Sequence, residues 1–126
     1  MGIRILIVDD EPELGELVDV MLRKARADVL CSRVGTASDA MRVCRTENPS
    51  LVLMDIALPD VDGLQTLRQL KADPKTQHIP VVVITAMRGQ IVGEAAEAGA
   101  SGTLLKPFSK AELLQAVTSA LGPPAR

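Results

Sequence analysis

The feature that most constrains this chain is its alternation of short, unbroken apolar runs with stretches of helical periodicity. The runs fall at 3–8, 29–34, 51–54, 81–84 and 103–105, with 29–34 the weakest. Four of the five lack an inside/outside alternation, as expected for strands covered on both faces. Between them, apolar residues recur at helical spacing. Leu14, Leu17, Val18, Met21 and Ala25 form the first set, Ala37, Ala40, Met41 and Cys44 the second, and Leu64, Leu67 and Leu70 or Lys71 the third. Leu114, Val117, Thr118 and Leu121 form the last, opened by Ser109 with Glu112 three residues on, a capping box. The stretch between Gln90 and Gly99 is the poorest helix, because it carries Gly93 and few large apolar residues. Five strand–helix units in series predict an α/β, doubly wound (βα)5 fold with a parallel sheet and right-handed crossovers.

A chain of 126 residues is one domain of ordinary size. We expect that domain over 1–122, with 123–126, in the segment GPPAR, as a mobile tail or the start of a linker. Phe108 is the only aromatic residue, so the core must be built of Leu, Ile, Val, Met and Ala. A net charge of −2, without a basic run or stacking platform, speaks against nucleic-acid binding. No apolar run approaches membrane-spanning length. Cys31 and Cys44 make neither a disulfide framework nor a CxxC and read as small hydrophobes, and His78 reads as a loop residue. The start MGIRILIV fits neither a signal peptide nor a myristoylation motif. These features predict a cytoplasmic protein.

In an open parallel sheet, ligands bind outside the carboxyl ends of the strands. At those ends stand Asp9 and Asp10, Asp55, Thr85 with Ala86, and Lys106 with Pro107. Each has an ordinary reading when taken singly: Asp9 or Asp10 as the cap of the first helix ahead of Pro12, Asp55 as a turn residue, Thr85 as a local backbone partner, Lys106 as a solvated loop lysine. Together they make a different object. Like charges about 4 Å apart repel by about 4 kcal/mol at an effective dielectric of 20, so clustered carboxylates need a cation or a shifted pKa. Lys106 brings one positive charge, and a hard, oxygen-preferring Mg²⁺ brings two more. A carboxylate, an ammonium and a metal form a set for phosphoryl transfer in which the carboxylate attacks.

The segments ILIVDDEP, LVLMDIALPDVDGL, HIPVVVITA and EAGASGTLLKPF, in this order, resemble the response-regulator receiver domain of bacterial two-component signalling, and the resemblance covers residues 3–121. It implies a flavodoxin-like sheet of strand order 2-1-3-4-5. It implies that Asp55 is the phosphoacceptor and a metal ligand, that Asp10 binds Mg²⁺ directly and Asp9 mainly through water, and that the Ala57 carbonyl completes the protein ligands. Lys106 would pair with a phosphoryl oxygen, the Thr85 hydroxyl with another, and the Ala86 N–H would assist. The Lys106–Pro107 bond would be cis, and Pro59 and Gly63 match the loop after the acceptor. The implied partners are a sensor histidine kinase or a phosphotransfer protein, and an output domain or downstream protein that the sequence does not identify. The implied protein is a signalling phosphoacceptor, not a turnover enzyme, and a monomer or weak dimer; it is a stand-alone receiver, or GPPAR is where a linker begins.

The chain departs from that family at Thr103, where an aromatic is usual, and at Ser101 and Gly102, where acids are usual. These departures touch the output and not the chemistry. Three other readings are open at this stage. A haloacid-dehalogenase-like phosphatase would need a second acid where Ala57 stands. A flavodoxin-like cofactor module would need phosphate donors where DDEPE offers carboxylates. A pseudo-receiver would bind partners without phosphorylation. We expect Glu11 and Glu13 to face solvent, with Glu11 close enough to add to the negative field.

Overall fold

The computed structural model describes residues 2–87 and 89–122; the tail expected at 123–126 lies outside the described residues. Ten elements alternate: β1 (Ile3–Val8), α1 (Pro12–Ala25), β2 (Val29–Val34), α2 (Ala37–Glu47), β3 (Leu51–Asp55), α3 (Gly63–Ala72), β4 (Val81–Thr85), α4 (Gln90–Glu97), β5 (Gly102–Leu105) and α5 (Lys110–Leu121). The five strands form one sheet in the order β2-β1-β3-β4-β5, and every pairing is parallel. The parallel, doubly wound sheet is what the alternating pattern predicts, and its flavodoxin-like strand order is the one that the family resemblance implies.

The unbroken apolar runs are explained by two cores. Leu6, Val8, Val52, Met54, Val81 and Val83 pack against α2, α3 and α4 on one face. Ile5, Ile7, Leu51, Leu53, Val82 and Ile84 pack against α1 and α5 on the other. Alternate residues of β3 and β4 thus enter opposite cores, and both strands are buried throughout. The edge strand β2 is buried only at Val29, which is why 29–34 reads weakly. Among the described residues, no helix is long and apolar enough to cross a membrane.

Two helices face the core with most of the positions that their spacing suggests, and depart from it at a few. In α1 the buried residues are Gly15, Val18 and Leu22, while Leu17 is half exposed and Ala25 is exposed. The Arg33 side chain lies over Gly15, where a Cβ would meet Arg33 Cδ at 3.2 Å. Leu14 and Met21 pack partly against the core and, with the exposed Leu17, also line a surface groove with Ala86, Lys106, Pro107 and Phe108. In α5 the buried pair is Leu113 and Val117, and Thr118 is exposed. The Ser109–Glu112 capping box is present in both directions. Cys44 is buried and Cys31 partly so. His78 is an exposed loop residue whose Nε2 lies 2.7 Å from Asn48 Oδ1.

Glycine has opposite roles in two places. Gly63 opens α3 directly behind the site, where a Cβ would lie 2.6 Å from Ile56 Cα and 2.9 Å from the Asp55 carbonyl oxygen. Gly93 sits exposed within α4, with nothing within 4 Å of a Cβ. The helix at 90–97 forms despite it, Ala95 being its buried anchor. The same substitution should therefore act with opposite signs in urea unfolding. Gly63→Ala should lower stability by about 1–3 kcal/mol, because main chain must move. Gly93→Ala should raise it by about 0.5–1 kcal/mol.

Candidate functional site

Parallel pairing brings the strand ends to one edge. Val8 pairs with Met54, Asp55 with Ile84, and Thr85 with Leu105, so the residues that close or follow β1, β3, β4 and β5 stand side by side. At the centre, Lys106 Nζ donates to Asp55 Oδ2 at 2.6 Å. The same ammonium lies 3.7 Å from Glu11 Oε1 and 3.9 Å from Asp9 Oδ2. The Asp9 and Asp55 side chains are nearly buried, at 4% and 6% exposure, whereas Glu11 is 65% exposed and reaches in from the rim.

The backbone fixes these groups. Asp55 Oδ1 accepts the Ala57 N–H at 2.9 Å, which leaves Oδ2 for Lys106. Asp9 Oδ1 accepts the Glu11 N–H at 2.8 Å, and the Asp9 N–H donates to the Val34 carbonyl at 3.0 Å. The Lys106 N–H donates to the Thr85 carbonyl at 2.8 Å, and the Lys106–Pro107 bond is cis. Thr85 is buried, and its hydroxyl oxygen accepts the Met87 N–H at 3.0 Å. Ala57 and Ala86 are exposed at the mouth.

Three carboxylate oxygens, from Asp9, Glu11 and Asp55, lie within 4.8 Å of one another and face one ammonium. A pair of such charges at that separation repels by about 3.5 kcal/mol at an effective dielectric of 20. Burial raises the Asp9 pKa above the ordinary carboxylate value, the Glu11 N–H opposes that rise, and the Asp55 charge adds to it. Burial alone would lower the Lys106 pKa, but the hydrogen bond and charge of Asp55, with Asp9 and Glu11 behind, outweigh it and the pKa is raised. Oxygen ligands on opposite sides of a hard divalent ion stand about 4–5 Å apart. The spacing and the all-oxygen donor set therefore suit such an ion.

Of the residues singled out from the sequence, Asp9, Asp55 and Lys106 are in direct contact range, and Thr85 and Ala86 stand at the end of the neighbouring strand. Asp10 does not join the cluster; it is exposed and lines a cleft on the β2 side with Arg33 and Gly35. Glu11 is largely exposed, as expected, and its carboxylate reaches 3.7 Å from Lys106 at the rim, close enough to add to the negative field. The Asp9 side chain accepts the N–H two residues on, a tight turn that swings Glu11 toward Lys106 and Asp10 away. Neither aspartate caps α1: its N-cap is Glu11, without a side-chain bond. A carboxylate one residue after the pair was the available signal for Glu11. Asp60, whose side chain bonds the start of α2, had no local signal at all.

Comparison with known proteins agrees with this geometry. The model of the response regulator receiver domain family matches residues 5–118. The chain is 38% identical over 120 residues to the DNA-binding dual master transcriptional regulator RpaA of a Synechocystis strain, an alignment covering 94% of this chain and 48% of that protein. It spans about half the length of RpaA and of the similarly matched MtrA from Mycolicibacterium smegmatis. Among solved structures, it resembles the receiver domain of the sensor histidine kinase PA1611 of Pseudomonas aeruginosa, which has magnesium in its active-site cleft, with TM-score 0.86, 29% identity and coverage of 97% and 99%. It shares the fold of the chemotaxis response regulator CheY4 of Vibrio cholerae, with TM-score 0.88, 20% identity and coverage of 96% and 100%. A parallel sheet of this order, acids gathered at its carboxyl edge around one lysine, and a family match across nearly the whole length lead to one assignment: the chain belongs to the response regulator receiver domain family.

Proposed function

We propose that this domain accepts a phosphoryl group on Asp55 from a phosphohistidine of a sensor histidine kinase or phosphotransfer protein, and that the aspartyl phosphate changes which partner it binds. The observation that carries this reading is the Lys106–Asp55 contact at 2.6 Å within an electron-rich oxygen cluster. A carboxylate oxygen of Asp55 attacks phosphorus, the P–N bond to imidazole breaks, and histidine leaves. The Ala57 N–H holds the other carboxylate oxygen, which limits rotation of the nucleophile. Lys106 transfers its hydrogen bond from the carboxylate to a phosphoryl oxygen, the Thr85 hydroxyl takes a second, and the Ala86 N–H assists. Water later attacks the acyl phosphate and returns the carboxylate.

Asp9, Asp10, Asp55 and the Ala57 carbonyl would hold Mg²⁺, which when bound supplies the positive charge that draws donor and carboxylate together. Asp10 must turn inward to do so, displacing Glu11. The groove of Leu14, Leu17, Met21, Pro107 and Phe108 beside Lys106 supports a protein donor, since it exposes apolar area at the mouth. The domain acts in the cytoplasm, as a monomer or weak dimer, without contacting nucleic acid or membrane itself. It signals and does not turn over a substrate as an enzyme.

Acetyl phosphate with Mg²⁺ should add one phosphoryl group by intact mass, and Asp55→Asn should abolish the gain; a gain that persists in Asp55→Asn would reject the site. Titration calorimetry with Mg²⁺ separates the two neighbouring acids. Asp10→Asn should weaken binding by about 10-fold or more, as for loss of a ligand, and Glu11→Gln by only a few-fold.

Asp9 yields a stability prediction. Its pKa is raised in the fold, so the fold favours its neutral form; the contribution is fully present below the unfolded pKa and is lost as pH rises through the folded value. At neutral pH the charge is therefore unfavourable without metal. Asp9→Asn should raise the metal-free Tm at pH 7, lose that advantage below the carboxylate range, and forfeit the stabilisation that Mg²⁺ gives the unsubstituted protein.

A further inference from the structure

The loop after Asp55 is fastened at its base, its exit and its tip. At the base, Ala57 and Asp62 form an isolated antiparallel bridge, and the Ile56 carbonyl accepts the N–H groups of Leu58 at 3.1 Å and Gly63 at 2.8 Å. At the exit, Asp62 Oδ1 accepts the Leu64 N–H at 2.9 Å and caps α3. The tip is tied to a different helix. Asp60 Oδ1 accepts the Ala37 N–H at 2.8 Å, and Oδ2 accepts the Ser38 N–H at 3.1 Å and the Ser38 hydroxyl at 3.3 Å. Among the described residues, these are the only hydrogen bonds that leave the segment 58–61 for another element.

The arrangement at α2 is complete in itself. Its first three N–H groups, which no helical carbonyl can satisfy, go to Asp60, Asp60 and Thr36 Oγ1 in turn, the last through the Asp39 N–H at 3.2 Å. A carboxylate is favoured over a neutral acceptor there because the helix N-terminus is its positive end, and the Ala37 N–H lowers the Asp60 pKa accordingly. The same helix start is coupled to the acidic loop after β1. Val34, which ends β2, accepts the Asp9 N–H at 3.0 Å, and a Cβ on Gly35 would lie 3.8 Å from the Asp9 carbonyl oxygen. Asp60 therefore joins the loop carrying Asp55 and Ala57 to the frame that carries Asp9.

We infer that Asp60 is a positioning residue for the phosphorylation site: by clamping the tip of the β3–α3 loop to the first turn of α2, it fixes the Ala57 main chain and the Asp55 carboxylate in the geometry that takes the cation. It touches neither donor nor ion. The inference rests on the metal-assisted phosphoacceptor reading above. It differs from a purely structural role, in which Asp60 would fasten α2 and leave the oxygen cluster unchanged.

The test is Mg²⁺ binding by titration calorimetry on the whole folded chain, for wild type, Asp60→Ala, Asp60→Asn and Ser38→Ala, well below each Tm and with matched far-ultraviolet circular dichroism. Asp60→Ala should weaken Mg²⁺ binding by about 10-fold, the scale seen when support behind a metal ligand is removed. Asp60→Asn keeps one acceptor oxygen and should fall between. Ser38→Ala loses only the longest of the three bonds and should stay near wild type. In the acetyl phosphate reaction, the half-saturating Mg²⁺ concentration should rise in Asp60→Ala by a similar factor, with a smaller change in rate at saturating Mg²⁺. Binding in Asp60→Ala within about threefold of wild type would overturn the inference even if Tm falls. Absence of Mg²⁺ binding in wild type would overturn the functional reading itself. If Asp60→Ala does not fold, Asp60→Asn decides: affinity equal to wild type overturns the proposal.

Discussion

The site depends on one imbalance: a single ammonium set among three carboxylates. Lys106 is close enough to hydrogen-bond only Asp55, at 2.6 Å, and its distances of 3.7 and 3.9 Å to Glu11 and Asp9 give attraction without a bond. Burial of Asp9 and Asp55 makes the uncompensated charge more costly than it would be on the surface. The cluster is thus a place where the fold gives up stability in return for attraction to positive charge. A site of this kind persists only if the surrounding structure over-determines its geometry, and here it does. The Asp55 carboxylate is held by the N–H two residues on, the lysine main chain by the Thr85 carbonyl, and Asp9 by both Val34 and Glu11.

The cores supply that rigidity. β3 delivers Asp55 from a strand whose five residues are all buried, between Leu51 and Leu53 on one face and Val52 and Met54 on the other. Moving the Asp55 main chain would require repacking both layers, which close-packed interiors resist. The loops are anchored separately, by Gly63 fitted against Ile56 and by Asp60 and Asp62 reaching two different helix starts. The strand sets where Asp55 stands, and the loop, through the Ala57 N–H, sets which of its oxygens faces Lys106.

Much of this was legible in the sequence, for physical reasons. A strand covered on both faces must be apolar at every position, so 51–54 and 81–84 announce a central parallel sheet without any tertiary information. Strand ends in such a sheet share an edge, so Asp9, Asp55, Thr85 and Lys106 could be placed together from spacing alone. What the sequence does not show is direction. Whether Asp10 or Glu11 points inward depends on a turn closed by Asp9 Oδ1, and a shift of one residue reverses the answer. The inward face of α1 was misjudged at Leu17 because helical periodicity cannot show that the Arg33 side chain lies over Gly15. Asp60 was invisible because its partners lie 22 and 23 residues away.

The departure at Thr103 bears on how a change at Asp55 travels. In this chain no ring stands on β5 to move between buried and exposed positions, and beside it nothing lies within 4 Å of a Cβ built on Gly102. The contact that does link the site to its surroundings is shorter. The Thr85 hydroxyl oxygen accepts the N–H of Met87, a residue 58% exposed on the loop leading to α4. In the proposed phosphorylated state, a Thr85 hydroxyl turned toward a phosphoryl oxygen would move away from that N–H. Coupling of the proposed kind would need no aromatic residue, because the Thr85 hydroxyl proposed to bond the phosphoryl group is also the acceptor for the loop N–H. The contact lies at the rim of the site, where Met87 and Ala86 are exposed and Ala86 lines the apolar groove beside Lys106.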